Sequence, residues 1–380
     1  MQYRKFGNTG KMISALGFGC MRLPELEKDG KWYIDEEKAL PMLTKAYENG
    51  VNYFDTAHGY CNGNSQYTLG KAMKPIKRDT VMIATKIPLW SVNKTADFRE
   101  YLDEQLRRLD TPYIDFYHFH GLSKDAFDDK VMKLKLIGEA KKAIDEGLIK
   151  RMSFSFHGNP KDMQYIIETG EIFSSVLLQY NLLDRSHEDA IAYLASVGVG
   201  VVSMGPVAGG RLAAPSKKLS EGILRDKKDS VATPELALRF VLGNPNVSCA
   251  LSGMTAMEML DQNLRAANLE VPMTDKDFAN AKTAMEEMKK LSDLYCTGCD
   301  YCMPCPQGIK IPHVFNAYTY HNVYGLSNVA KNMYNEIGNG EHAGKAVSEC
   351  AECGECETKC PQKIKIIEKL KEVHNIFAKA

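Results

Sequence analysis

The stretches CTGCDYCMPCP (296–306) and CAECGECETKCP (350–361) hold eight of the chain's eleven cysteines. Cys350, Cys353, Cys356 and Cys360 read C-x₂-C-x₂-C-x₃-C-P, and Cys296, Cys299, Cys302 and Cys305 read C-x₂-C-x₂-C-x₂-C-P. Three thiolates in step can wrap one iron–sulfur cube, and the Cys-Pro that follows points a fourth thiolate away, toward a second cluster. The second run has this pattern in full. The first is one residue shorter before its last cysteine, which leaves its fourth ligand open. Zinc is the rival: it takes four cysteines in a closed tetrahedron, usually as two C-x₂-C knuckles rather than three cysteines in step. The spacing favours two [4Fe–4S] clusters. Of the other cysteines, Cys249 lies inside an apolar run, Cys20 at a strand mouth and Cys61 directly after Tyr60. Small apolar filler is the reading for all three.

A second reactive set lies nearer the N-terminus. VNYFDTA (51–57) ends in Asp55 and runs on to Tyr60; TVMIATKI (80–87) carries Lys86; IDFYHFH (114–120) closes on His120. A lysine at a buried strand end needs a counter-charge, which Asp55 can supply. Lys86 beside Tyr60 is expected to lower the phenol's pKa by favouring phenolate. A tyrosine so tuned can protonate a carbonyl oxygen and later take the proton back. A neutral His120 can hydrogen-bond that oxygen and orient it. His58, Trp90 and His157 are candidates for the pocket wall.

These side chains need a frame. After a hairpin near 2–6 and 11–14, eight strand–helix units follow from Ala15, including a long helix expected near 128–146. The strands are near-continuous apolar runs, as in a parallel sheet covered by helices. Eight repeats over about 250 residues predict a (β/α)₈ TIM barrel, whose reactive groups gather at the C-terminal strand ends. A doubly wound open sheet is the alternative, but GFGCMR (17–22) lacks the glycine-rich phosphate turn. Beyond Pro272 the pattern becomes helical: one helix over 274–295, helices within 311–345, and a last one after the second cysteine run. The expected division is a barrel over 1–272, a connecting helix over 273–292, and a small all-α iron–sulfur domain over 293–380. A polar domain below about 90 residues usually needs a metal staple.

Composition narrows the class. The 380 residues suit one large domain and a small appendage. Lys plus Arg and Asp plus Glu balance at 48 each, so nothing points to nucleic acid or a membrane surface. No apolar run reaches about 18 residues, and the start lacks the design of a signal peptide. A cytoplasmic protein is expected, where clustered cysteines favour metal or redox roles over disulfides.

DTAHGY, ATK and DFYHFH resemble, in order and spacing, the Asp–Tyr–Lys–His tetrad of the aldo-keto reductases. The resemblance covers about 1–270 and includes QYNLLDR (179–185), MGPVAGGRL (204–212) and SGMTAMEMLDQN (252–263). It implies carbonyl–alcohol chemistry by hydride transfer with NAD(H) or NADP(H), with Asp55, Tyr60, Lys86 and His120 as the catalytic set and Tyr60 as the general acid. The cofactor contacts it implies depart from the family's pattern. A Ser-Asn pair after strand five is here Ser155-Phe156, with Gln179 as helper. Met204 stands where an aromatic ring often stacks on the nicotinamide. Gly253 and Met259 stand where Lys and Arg would pair a 2′-phosphate, and Gln262-Asn263 replace a Glu-Asn pair. Arg211 and Arg265 are substitutes for phosphate contacts. Without a cation a buried phosphate is costly, so NAD(H) is favoured over NADP(H). The tail resembles the helical dicluster ferredoxin domains. That likeness implies Cys296, Cys299 and Cys302 with Cys360 on one cluster, and Cys350, Cys353 and Cys356 with Cys305 on the other.

Three functions are consistent with this. The chain is a carbonyl–alcohol oxidoreductase on a small-molecule substrate, with structural or sensory clusters. Alternatively it is an electron-coupled oxidoreductase whose clusters exchange electrons with a ferredoxin or another redox partner protein. Last, it is an electron-transfer or interaction module with a vestigial barrel, against which the intact tetrad argues.

Overall fold

The computed structural model describes residues 1–210, 212–213, 216–223, 231–290, 294, 296, 302–339, 344–360 and 363–378, without the side chains of residues 218 and 288–290. The chain forms two compact units. One is Met1–Gly209 with Ala237–Thr274; the other is Gly210–Leu236 with Asp275–Ala380. Residues 210–236, placed in the barrel by their position in the sequence, therefore fold with the cysteine-rich tail. The helix beyond Pro272 belongs to that same unit.

The first unit opens with the hairpin β1 (Tyr3–Lys5) and β2 (Met12–Ser14). It continues through β3 (Leu16–Gly19), β4 (Glu25–Lys28), β5 (Lys31–Ile34), α1 (Glu36–Glu48), β6 (Tyr53–Asp55), α2 (Ser65–Met73), β7 (Met82–Ile87) and α3 (Asp97–Arg108). Next come β8 (Ile114–Leu122), α4 (Lys124–Ala126), α5 (Leu136–Asp145), β9 (Ile149–Phe156), α6 (Met163–Gly170), β10 (Phe173–Gln179), α7 (Glu188–Ser196) and β11 (Gly200–Met204). Past α8 (Lys217–Ile223) and α9 (Thr233–Gly243), it ends with β12 (Cys249–Gly253) and α10 (Met257–Ala267). Eight parallel strands close a barrel in the order β3-β6-β7-β8-β9-β10-β11-β12. This is the expected TIM barrel.

Phe6, from the hairpin, packs with Ile13 against Tyr53, Met82 and Phe116 in the barrel core. Burying such a ring stabilises by about 1.5–3 kcal/mol. A Cβ at Gly200 would sit 2.3 Å from the Phe6 ring, so only glycine fits there. Cys249 belongs to the same core, as its apolar run predicts.

Two elements differ from expectation. Residues 25–34 form the β4–β5 hairpin, turning on Asp29 (φ 53°) and Gly30 (φ 72°). An Asp-Gly pair adopts this left-handed two-residue turn readily, so the signal was present in KDGK. The helix expected over 128–146 is interrupted: Phe127–Met132 is a π-helical turn and Lys135 takes φ 54° before α5. From this turn Lys130 donates to the carbonyls of Leu89, Trp90 and Val92 at 2.7, 3.1 and 3.2 Å, pinning the loop that carries Trp90.

In the second unit, α8 packs on α11 (Asp275–Lys290), and Ser216 donates its hydroxyl to the carbonyl of Tyr324. The helices α12 (Ile311–Asn322), α13 (Ser327–Asn335), α14 (Glu355–Lys359) and α15 (Ile366–Phe377) follow. Phe315, Tyr318, Ala330, Leu370 and Val373 are buried among them.

Candidate active site and cluster recess

Side chains alternate across a strand, so the core residues Tyr53 and Ala84 fix the directions of Asp55 and Lys86 two positions on. Both point into the barrel at its C-terminal end, at 2 % and 0 % exposure. Lys86 Nζ donates to Asp55 Oδ1 at 2.5 Å and to the Thr56 carbonyl at 2.8 Å. Its ammonium lies 4.6 Å from the centre of the Tyr60 ring. The Tyr60 ring meets His120 edge-on at 5.8 Å, and His120 lies 4.8 Å from the exposed Trp90 ring. His120 sits where the β8–β9 register shifts between Phe119 and Leu122. Such an irregularity re-aims a side chain. The left-handed Gly121 (φ 67°) that follows then donates its N–H to Ser155 Oγ at 2.8 Å.

The electrostatics follow from burial and one ion pair. Burial pulls the Lys86 ammonium down, but Asp55 and Tyr60 outweigh it and hold Lys86 above its ordinary value. Burial pushes Asp55 up, with Lys86 pulling against it. Tyr60 differs from the sequence-based expectation. Burial pushes its phenol up, and the neighbouring Lys86 offsets only part of this. Tyr60 is therefore held protonated, as a proton donor must be. His120 falls to about 3, through burial, Lys86 and His157 in that order. It is neutral at ordinary pH, as expected. Burial and then Lys86 also lower His157.

Sequence reading missed the residues behind this set. Ser65 donates to the Cys20 carbonyl and exchanges a hydrogen bond with Thr56, both at 2.7 Å. Gln66 donates to Thr85 at 2.7 Å and to Gln105 at 3.1 Å, and Gln105 donates to the Lys86 carbonyl at 3.1 Å. All are fully buried. The one available signal was periodic: Phe98, Leu102 and Gln105 share the buried face of α3, an odd place for an amide. After Tyr60, Cys61 (φ 50°) and Asn62 (φ 53°) both take left-handed backbone, a strain typical of functional loops.

The residues implied for a cofactor are less uniformly placed. Ser155 is buried at the mouth and keeps its own O–H to donate. Gln179 gives its amide N–H to Asp184 at 2.7 Å and keeps its carbonyl to accept. A carboxamide fits that pair of groups. Phe156 is buried against Phe154 and His187, with no polar atom to replace the missing amide. Met204 is half-buried over the barrel core. Gly253 and Gln262 are exposed, as are Met259 and Arg265, whereas Asn263 is drawn inward to Ser252 at 3.0 Å. Arg211 lies outside the described residues. Arg22, not singled out by the sequence, packs beside Gly253 and donates to the Gly209 carbonyl at 2.9 Å.

In the second unit, Cys305, Cys350, Cys353 and Cys356 line one recess, walled by Ile309, Ile311, Ile367 and Leu370. Cys302 is raised to about 11, by burial first and then by Cys296, with Cys356 and Cys360 adding. Cys356 is raised by burial and also feels Cys305. Cys299 lies outside the described residues. Among the described residues no three His, Cys, Asp or Glu side chains close on a single-ion site. Four thiols spread round an apolar recess fit a cubane. Also among the described residues, no helix is long and apolar enough to cross a membrane.

Comparison with known proteins agrees with both halves. Residues 15–286 match the model of the aldo/keto reductase family, and residues 295–365 match that of the 4Fe-4S dicluster domain. An uncharacterized oxidoreductase, YqkF, of Bacillus subtilis is 28% identical over 70% of this chain and 92% of its own length. L-Galactose dehydrogenase of Arabidopsis thaliana is 28% identical over 77% of this chain and 97% of its own. The holo form of aldo-keto reductase AKR11C1 from Bacillus halodurans superposes with a TM-score of 0.64 at 28% identity, covering 75% of this chain and 96% of that one. The chain thus belongs to the aldo/keto reductase family of oxidoreductases, in the subgroup that carries a C-terminal 4Fe-4S dicluster domain.

Proposed function

We propose that the barrel interconverts a small-molecule carbonyl and its alcohol, with Tyr60 as general acid and base. The observation that carries this is the Lys86 ammonium, held 2.5 Å from Asp55 and 4.6 Å from the Tyr60 ring centre. A carbonyl oxygen between Tyr60 and His120 accepts the Tyr60 proton as it gains charge. Lys86 stabilises the phenolate left behind, and Asp55 keeps Lys86 protonated and in place. Neutral His120 donates a hydrogen bond that orients the oxygen. In the oxidising direction the same tyrosinate recovers the proton. A nicotinamide dinucleotide, when bound, supplies or accepts the hydride. Ser155 and Gln179 hold its carboxamide, and Arg22 and Arg265 meet its phosphates. Gly253 and Met259 carry no charge, so NAD(H) is preferred to NADP(H).

The two Cys sets hold [4Fe–4S] clusters, with Cys299 completing the first. Cys353 is exposed at the recess, which supports a second reading in which the clusters exchange electrons with a redox partner protein. Oxidation of NADH and NADPH by a panel of aldehydes and ketones tests the first reading. Turnover that survives Tyr60→Phe would overturn it. Low-temperature EPR after anaerobic NADH addition tests the second. A reduced-cluster signal is expected if the clusters exchange electrons with the barrel. Silence with NADH, where dithionite still gives the signal, counts against it.

A further inference from the structure

We infer that the opposite end of the barrel carries an anion site, unconnected with the chemistry at Tyr60. At the N-terminal ends of β7, β8 and β9, beside the β1–β2 turn, lies a concave recess. Met82 and Phe116 form its floor, and the cations come from two elements, Lys11 from the β1–β2 turn and the neighbouring Lys150 and Arg151 from β9.

The charge around this recess is lopsided. Asp115 is the carboxylate lining it, and Arg78 already pairs with it at 2.6 Å. The Ile83 N–H also donates to that carboxylate, at 2.9 Å. Lys11 feels Asp115 only at longer range. Among the described residues neither Lys11, Lys150 nor Arg151 makes an ion pair. Lys150 lies over the Tyr113 ring at 4.4 Å, with Arg78 also against that ring at 4.0 Å, and reaches the Gly147 carbonyl at 3.4 Å. Arg151 donates to the Thr9 carbonyl at 2.7 Å. That bond fixes the guanidinium but leaves its charge unneutralised.

Elsewhere on this chain of balanced charge, surface lysines commonly find a carboxylate. Examples are Lys38 with Asp35, Lys71 with Glu36 and Lys74 with Asp110. Three uncompensated cations round one concavity concentrate positive potential there, because the apolar floor focuses field that open solvent would screen. Arg151, held half-buried by its carbonyl contact, is the preorganised member, and the two lysines can close over a ligand from either side. The matching ligand is a small molecule with at least two negative charges, in phosphate or carboxylate form, and with little apolar surface. Arginine favours planar bidentate oxyanions, while lysine acts as a point charge, so the site reads charge density before shape.

The test is calorimetric titration of the full-length, cluster-loaded protein with two probes, inorganic pyrophosphate and citrate, at low ionic strength. At least one probe is expected to bind, with affinity falling as salt is raised. The double variant Lys11→Glu/Lys150→Glu, which alters only exposed side chains, is expected to weaken that binding by at least about tenfold. Arg151→Gln is the second variant, expected to weaken it while leaving the fold intact. Preference for pyrophosphate assigns a phosphate-bearing ligand, and preference for citrate a polycarboxylate. Absence of binding by both probes overturns the site. So does binding that the variants leave unchanged, which would place the anion elsewhere, for instance at the cofactor's own phosphate contacts.

Discussion

In the barrel, Lys86, Asp55, Thr56 and Gln105 hold one another behind a closed wall of eight strands, with almost no exposure. In the second unit, Cys305, Cys350, Cys353 and Cys356 line one recess, and Cys353 is exposed. In the first arrangement the buried charges answer each other, Lys86 pairing with Asp55. The second sets four thiols side by side against apolar walls. Four thiols round an apolar recess have no strong hydrogen-bond partners to gain from one another. Their geometry makes sense as a ligand set, and the fold around them inherits that dependence. A preorganised polar site can therefore be built by packing alone, whereas a small helical unit borrows its organisation from the group it binds.

The sharpest way to break this comparison is to remove iron. Chelation under reducing conditions should abolish amide protection in α12 and α15 while leaving β6, β7 and β8 protected, as read by hydrogen exchange. Loss of protection in both units together would mean that the barrel also depends on the clusters. The next largest effect is on chemistry. Tyr60→Phe should lower carbonyl turnover by about 10²–10⁴-fold with iron content unchanged, since no thiol is touched.

A third experiment probes the support behind the site. Gln105→Leu removes an acceptor from Gln66 and from the Thr85 hydroxyl, and a donor from the Lys86 carbonyl, at a cost of about 1–3 kcal/mol. Turnover should fall about tenfold, equivalent to about 1.4 kcal/mol, with the KM for the carbonyl little changed. An unaltered turnover with lowered thermal stability would reduce Gln105 to a packing role.

The pH dependence has a definite sign. His120 titrates near 3 in the folded chain, because of burial first and then Lys86 and His157, against about 6.5 for a free imidazole. Between those values the unfolded chain binds a proton that the folded one refuses. The contribution is therefore fully present above about pH 6.5 and declines as pH falls toward 3. His120→Gln should flatten part of that acid-side loss in denaturant melts. Only part is expected, because His58, His157 and His187 are also lowered by burial. An unchanged slope would mean that His120 is not held neutral. The smallest effect is at Cys61, where φ is 50°. Cys61→Gly should relieve strain worth about 1 kcal/mol, visible as a modest rise in Tm; an unchanged or lowered Tm would mean that the thiol's packing outweighs the backbone strain.

Much of this site was legible in the chain. Asp55, Lys86 and His120 end apolar strands, and the barrel arithmetic alone predicts that such residues meet at one face. The spacing and the dicluster likeness also group Cys350, Cys353 and Cys356 with Cys305, the four cysteines that line one recess. Tyr60's pKa was misread because the sequence shows Lys86 as a neighbour but not how deeply the phenol is buried. Gln66 and Gln105 were missed because a buried amide network has no spacing rule: its partners come from α2, α3 and β7, which only folding brings together.

The sequence by itself determined periodicity and ligand count. Eight apolar runs and eight thiols in two stepped sets follow from local spacing, because strand alternation and cluster wrapping act over a few residues. Tertiary structure decided what local spacing cannot carry. The β8–β9 irregularity aims His120, and burial, rather than Lys86, governs Tyr60. Residues 210–236 join the cysteine-rich unit although they lie between two barrel strands in the chain. Each of these depends on contacts between segments far apart in sequence, where desolvation and packing outweigh local preference.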